Sequence, residues 1–375
     1  MDHDRVEKFR GRLDRSPVSD YHGLQSPGLT CYANSVLQVL FMTEGFREAV
    51  KGLMYFSLCH RCRVPDSTTM DADLRKLFAV LQTSVAKTDD IIFNLGITNV
   101  YQQRDAAEYF EKILCLTSPE ATEMFKGELN HKATCLGCEE RNDSATSFWV
   151  LPLAVEDWRH QTYRVERGLK TFFSGEDVCR DNKMYCMRCN KKQDADFGCE
   201  ITQSPEILTL LLKRFSFDHK HGRYVKLDSK VEVPQTLDMK DCKYDLYALV
   251  HHFGTLTGGH YTAQIRSFEN NEWYCFDDSV VKRIRTPFGA GKKSLSSYTA
   301  YLLMYRKVMK QVVQLRIKPG DSPVDLNDPA VKADILKKLH DRLRMKGLRG
   351  VTLQWREQPD GKVFHKLSEE KKSEL

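Results

Sequence analysis

Three residues far apart in the chain have the types and settings for nucleophilic chemistry. Cys31 lies where a turn-rich loop, Gly23-Leu24-Gln25-Ser26-Pro27-Gly28-Leu29-Thr30, runs into a stretch with helical spacing. A cysteine in the first turn of a helix meets free backbone N–H groups and the positive end of the helix dipole, which favour the thiolate, the nucleophilic form. His260 follows Gly258 and Gly259, and glycines beside a histidine let a substrate backbone approach closely. A strand over 260–267 that turns near Glu269-Asn270-Asn271 and returns through Trp273-Tyr274-Cys275-Phe276 would bring Asp277 to within about four positions of His260 on the neighbouring strand. A carboxylate on one imidazole nitrogen fixes the tautomer and leaves the other nitrogen to face a thiol.

A second chemistry is metal binding. Cys135/Cys138 and Cys186/Cys189 are Cys-x-x-Cys pairs, each placing two thiolates on one tight knuckle. Together they supply the four ligands of a closed, structural zinc site, although the 47 residues between them exceed an ordinary zinc-ribbon spacing. A catalytic zinc is not expected, because no histidine or open ligand position is near. Cys59 and Cys62 form a third such pair with no partner pair nearby and stay unassigned.

The elements that must position these groups follow from periodicity. Val36, Leu37, Leu40 and Phe41, then Leu74, Leu77, Phe78 and Leu81, then Ala106, Tyr109, Phe110, Ile113 and Leu114 repeat with helical spacing and predict a mostly α lobe. From about 205 the pattern turns to short β-rich runs: 207–217, 231–233, 244–253, 261–267, 272–276, 280–284 and 300–305. Residues 294–298 read as a loop. Residues 126–200, polar and carrying the paired cysteines, read as an extended subdomain with a metal in place of a thick core. The fold class is therefore α+β with an antiparallel sheet. Residues 1–17 read as a charged, flexible arm. After Tyr305 a helix bearing Val331, Ile335, Leu336, Leu339 and Leu343 is expected to end near Gly347, with strands at 351–355 and 362–367 around Pro359-Asp360-Gly361.

Composition excludes several classes. With 375 residues, 41% hydrophobic and 10% aromatic, the chain can bury a large core. No apolar run approaches the roughly 20 residues of a membrane span, and the first 20 residues have no secretory core, so a cytoplasmic or nuclear protein without a membrane partner is expected. In such a compartment the twelve cysteines are thiols or ligands, not disulfides. The net charge of +6 is concentrated in residues 308–375, with 15 Lys+Arg against 10 Asp+Glu, leaving about +1 for the first 307 residues. A nearly neutral main domain does not make a nucleic-acid footprint.

The segment around Cys31 resembles the Cys box of ubiquitin-specific proteases: Gly23, Leu24, Gly28, Thr30, Cys31, Tyr32, Asn34, Ser35, Leu37, Gln38 and Leu40 match it. The family's His box is matched by Gly258 to Tyr261, Trp273 to Asp278 and Ala300 to Tyr305. The resemblance covers about residues 21–307 and implies a papain-like hand of thumb, palm and zinc-ribbon fingers, with a catalytic domain over 18–307 and fingers over about 126–230. It implies Cys31 as nucleophile, His260 as base, Asp277 as orienting acid and Asp278 as a supporting polar group. Gln102-Gln103-Arg104-Asp105-Ala106-Ala107-Glu108 resembles a family helix start with one residue added before the Asp. By that likeness Gln103, Asp105 and Glu108, with Gly258, Gly259 and Tyr261, are candidates to bind the C-terminal tail of ubiquitin. Where the family has an oxyanion-binding Asn, five residues before the nucleophile, this chain has Ser26, whose hydroxyl is shorter and must choose between donor and acceptor. The implied activity is hydrolysis after the C-terminal glycine of ubiquitin. A weakened ubiquitin-binding scaffold and a protease for another ubiquitin-like modifier are the alternatives. The role of residues 308–375 is not legible.

Overall fold

The computed structural model describes residues 20–57, 69–155, 162–174, 176–178, 183–218, 222–255, 258–289, 291–308, 325–345, 353–358, 360 and 362–365. The 1–17 arm and the Cys59/Cys62 pair lie outside the described residues. The chain divides into a unit of residues 1–267 and 272–308 and a second of 268–271 and 309–375.

The first unit begins with helices. α1 (Cys31–Met42) is buried along its entire length, polar Asn34, Ser35 and Gln38 included, because it runs between the other helices and a sheet. α2 (Glu44–Ser57), α3 (Thr69–Leu81), α4 (Asp89–Asn94) and α5 (Ala106–Leu116) complete the lobe. Phe41, Phe46, Phe78, Phe110 and Phe125 form a chain of tilted and edge-on ring contacts with centroids 5.5–6.2 Å apart, the offset geometry that aromatic quadrupoles favour. Buried Asp71 of α3 accepts from the Ser118 N–H at 3.1 Å, tying α3 to the chain that leaves α5.

Strands follow. β1 (Gly127–Cys135) and β2 (Arg141–Phe148) form a hairpin, and β3 (Val150–Ala154) passes into a different sheet. β4 (Glu176–Val178) and β5 (Ala195–Gln203) complete a four-stranded sheet of order β2-β1-β5-β4. This sheet has almost no core: β2 is exposed at seven of its eight positions. A sheet that buries so little needs another tie, and the four cysteines lie at its end.

The second sheet carries the core. Its strands are β3, β6 (Ile207–Lys213), β11 (Lys243–Gly254), β12 (Gly259–Arg266), β13 (Trp273–Asp277), β14 (Val280–Ile284) and β16 (Ala300–Lys307), in the order β14-β13-β12-β11-β16-β6-β3, with β10 (Thr236–Asp238) pairing β11. All pairings are antiparallel except β6 on β3. The continuous apolar run of β6 reflects burial on both faces. The expected strand over 207–217 is broken at Arg214, beyond which β7 (Phe215–Asp218) pairs β8 (Arg223–Lys226) as a separate hairpin. Arg214 is fully buried and donates to the carbonyls of Ala300, Leu227, Ser229 and Ser297, so a charged side chain bonded to four backbone carbonyls joins the hairpin to β16.

Two expectations change. Residues 294–297 are a strand, β15 (Ser294–Ser297), pairing antiparallel with β9 (Val231–Pro234) in register Val233↔Leu295. Its Ser-Leu-Ser-Ser sequence has too little apolar alternation to announce a strand, and its partner supplies the ladder. In the second unit, α6 (Pro329–Met345) is present, with Asp328 accepting from the N–H groups of Ala330 and Val331. Its expected strands are absent among the described residues. A bond from Gln358 N–H to Lys362 O at 2.9 Å spans the turn, and Trp355 packs edge-on to Phe364 at 5.0 Å.

Candidate functional site

Helix geometry places the candidate nucleophile. Cys31 is the first residue of α1, so its own N–H and that of Tyr32 have no acceptor within the helix. Its thiol is buried at 4% exposure and also accepts the Tyr261 N–H at 3.4 Å, a donor that no sequence pattern indicated. α1 packs directly on β12, which delivers His260 to the same place.

Register places the pair. Ala263 lies opposite Phe276, which puts Asp277 level with Thr262, two residues from His260 and on the same face. His260 Nε2 lies 2.5 Å from Asp277 Oδ1. Nδ1 is thereby left to face the Cys31 thiol, whose interaction with this imidazole is among the causes that raise its pKa. Burial works to lower the His260 pKa, but the bonds to Asp277 and Cys31 together outweigh it and raise it to about 10. The ring is therefore held as imidazolium, the charged partner that a thiolate nucleophile requires and an acid that can protonate a leaving group.

Asp278 occupies a left-handed turn with φ +49° between β13 and β14. Its side chain accepts from Asn34 Nδ2 at 2.7 Å, and its carbonyl accepts the Leu24 N–H at 2.8 Å. A Cβ on Gly23 would collide with that carbonyl, so glycine is required where the segment before Cys31 passes under the turn that follows Asp277. The two distant motifs are thus bonded to each other through Gly23, Leu24, Asn34 and Asp278. Asn34 was legible only as a motif letter, without this role.

Ser26 is half-buried. Its Oγ donates to Gly28 O at 2.8 Å and lies 2.8 Å from Thr30 Oγ1. The single hydroxyl proton is already engaged inside the loop.

Three of the remaining candidates, Gln103, Asp105 and Tyr261, line one cleft. A cavity of about 560 Å³ is lined by Tyr101, Gln103, Asp105, Phe215, His252 and Tyr261. Asp105 caps α5, accepting from Ala107 N–H at 2.7 Å, and its other oxygen accepts from Tyr301, so both oxygens already have protein donors. Glu108 is exposed one turn on. Gln103 Oε1 accepts the Gly259 N–H, and a Cβ on Gly259 would collide with Phe253 O and the His252 ring. Lys226 Nζ donates to the carbonyls of His252 and Gly254 at 2.9 and 3.0 Å, bracing the loop that leads to His260. His251 and His252 are core residues: burial lowers their pKa to about 4 and about 3, leaving both neutral.

At the far end of the β1–β5 sheet the four sulfurs of Cys135, Cys138, Cys186 and Cys189 all lie within 4.8 Å of one another. The Cys135–Cys189 and Cys138–Cys186 separations are 4.0 and 3.5 Å. Thiolates about 2.3 Å from a tetrahedral ion would be about 3.8 Å apart, so the cluster fits a four-coordinate metal and is far too open for disulfides. The Cys189 N–H bonds Cys186 Sγ at 3.5 Å, and that bond, against burial, lowers the Cys186 pKa to about 7.

A family model described as ubiquitin carboxyl-terminal hydrolase matches residues 22–305. Among curated relatives, ubiquitin carboxyl-terminal hydrolase 47 of Drosophila melanogaster is 28% identical over 85% of this chain, and its Homo sapiens counterpart 27% over 76%. The chain spans about a quarter of the length of these relatives, 26% and 27%. A solved structure of a SAGA DUB module, Ubp8 with Sgf11, Sus1 and Sgf73 bound to monoubiquitin, is 25% identical, with a TM-score of 0.63 over 82% of this chain and 74% of that one. Among the described residues no helix is long and apolar enough to cross a membrane.

Proposed function

The chain belongs to the ubiquitin carboxyl-terminal hydrolase family, and from that premise we propose that it is a cysteine-type deubiquitinase that hydrolyses the bond after the C-terminal glycine of ubiquitin. The observation that carries the proposal is the contact of His260 with Cys31 on one side and Asp277 on the other. In this reading residues 18–307 are the catalytic domain, and the Cys31 thiolate attacks the scissile carbonyl, forming a thioester. The carbonyl oxygen takes negative charge near the N–H groups at the start of α1. The His260 Nδ1 proton passes to the leaving amine. Neutral His260 then takes a proton from water, whose oxygen attacks the thioester, releasing the ubiquitin carboxylate and restoring the thiolate–imidazolium pair. Asp277 holds the ring, and Asp278 with Asn34 holds Asp277's turn.

The tail of ubiquitin would lie in the cleft beside Gln103, Asp105, Glu108, Gly258, Gly259 and Tyr261. Asp105 there acts mainly as the cap of α5, which leaves exposed Glu108 the freer carboxylate for a basic tail. The four cysteines would hold a structural Zn²⁺, whose contribution is to tie the ends of a sheet that lacks a core. Such thiol chemistry requires a reducing compartment, which fits the cytoplasm or nucleus.

Ubiquitin carrying a propargyl group at its C-terminus tests the reading. Wild-type protein should form a covalent adduct and turn over a C-terminal fluorogenic ubiquitin, and Cys31→Ala should do neither while remaining folded. An adduct on Cys31→Ala, or none on wild type, would overturn it.

A further inference from the structure

β11 outruns the strand beside it. Its pairing with β16 ends where His251 meets Ala300, and the next bond on that edge runs from His252 N–H to Thr299 O at 2.8 Å. Residues two apart in a strand point their carbonyls to the same side, so those of His252 and Gly254 both face the edge that β16 has left. Half-buried Lys226 fills that edge: its Nζ donates to His252 O at 2.9 Å and to Gly254 O at 3.0 Å. One ammonium stands where a longer β16 would have supplied backbone N–H groups.

The opposite edge of residues 252–254 holds the base. Phe253 pairs with His260, and Gly254 with Gly259. Gly254 enters the connecting turn at φ +94°, where a Cβ would meet Gly258 O and Gly259 Cα. Thr255 closes that turn, its N–H and its hydroxyl both donating to Gly258 O, at 2.8 and 3.1 Å. Backbone this tight passes any tilt of residues 252–254 on to Gly259 and His260. Lys226 is itself anchored, since it lies opposite Phe215 in the β7–β8 hairpin and the Phe215 ring packs edge-on to that of His252 at 5.3 Å.

We infer that Lys226 is a positioning residue for His260: its ammonium takes the place of a missing strand on the β16 side of β11 and so fixes the backbone that carries the base. For turnover the inference rests on the hydrolase reading above; for alignment it rests on the Cys31–His260 pair alone. It gives the β7–β8 hairpin a part in catalysis although the hairpin carries no reacting group. The effect can be large, because a reacting group displaced by about 1 Å can cost about 10²-fold in rate.

Lys226→Met, close to lysine in length, removes the donors, and Lys226→Arg keeps the charge and N–H donors. Each variant is followed by steady-state kinetics on fluorogenic ubiquitin, by a thermal melt, and by the pH profile of Cys31 alkylation with iodoacetamide, read by mass spectrometry on the Cys31 peptide. Lys226→Met should lower kcat about tenfold to a hundredfold, change KM by less than about threefold and move the alkylation profile toward that of an ordinary thiol. Lys226→Arg should stay within about threefold of wild type in kcat and keep the profile. A lysine that only stabilises the fold would lower Tm and leave the profile of the folded protein in place; that result, or unchanged kcat in Lys226→Met, overturns the inference. Equal loss in both variants overturns it as well. Should Lys226→Met fail to fold, Lys226→Gln, which keeps an amide donor for one carbonyl, should show the same shift in part and is judged by the same profile. If wild type alkylates with the profile of an ion pair yet turns over no ubiquitin, the hydrolase reading fails, while the profile still decides for or against Lys226.

Discussion

Replacing Ser26 by Asn should make a faster enzyme. The Ser26 hydroxyl has one proton, and it is engaged with Gly28 O at 2.8 Å, with Thr30 Oγ1 also at 2.8 Å. To meet an oxyanion it would have to leave Gly28, so the attacked carbonyl relies on backbone N–H groups at the start of α1. One preorganised oxyanion donor is worth about 2.7–4 kcal/mol, or about 10²–10³ in kcat, in a well-studied protease. An Asn amide is longer and carries two donor protons, so Ser26→Asn should raise kcat about tenfold or more, short of that ceiling because the loop loses its internal bonds. KM should hardly change, since the new donor acts on charge that exists only in the transition state. Ser26→Ala should change kcat by less than about threefold. Its cost is to the loop: two half-buried bonds at about 1 kcal/mol each should lower Tm by a few degrees. Initial rates on saturating fluorogenic ubiquitin, with thermal melts of all three proteins, make the comparison. If Ser26→Ala matches wild type and Ser26→Asn gains nothing, residue 26 has no part in the oxyanion site. If Ser26→Ala loses a hundredfold in kcat, the hydroxyl does swing out during turnover, and the argument from its resting bonds is wrong.

Metal analysis of purified protein should find about one equivalent of zinc, and Cys186→Ser should release it and expose the β1–β5 sheet to proteolysis before the main sheet; metal-free protein of full thermal stability would refute the site. Stability should also be bounded on both sides of neutrality. The raised pKa of His260, about 10 in the fold against 6.5 unfolded, gives stability that is complete below about pH 6.5 and lost as pH rises toward 10. Buried His251 and His252, at about 4 and 3, are the opposite case: the unfolded chain binds the extra protons, so stability falls as pH drops from 6.5 through those values. Melts across pH 4–10 should show His260→Gln flattening the alkaline limb and leaving the acid limb; an unchanged alkaline limb would mean that His260 is not held charged.

The linear sequence contains the reactive groups and most of the elements, because these rest on local rules. Cys31 at a loop-to-helix junction, the apolar stripes of α1, α3 and α5, the alternating runs of the main sheet and the paired Cys-x-x-Cys knuckles are all readable within short windows. Tertiary structure decided what those windows touch. Asn34 reaches Asp278 and Gln103 reaches Gly259 across 244 and 156 residues, and neither contact leaves a trace in local periodicity. β15 exists because β9 offers it a ladder, not because Ser-Leu-Ser-Ser favours a strand. Ser26 shows the division most clearly. Its identity marks a departure from the family's motif, but whether its one proton faces a substrate or Gly28 depends on the curl of the loop, since a hydroxyl's role is fixed by the nearest acceptor and not by its place in the chain.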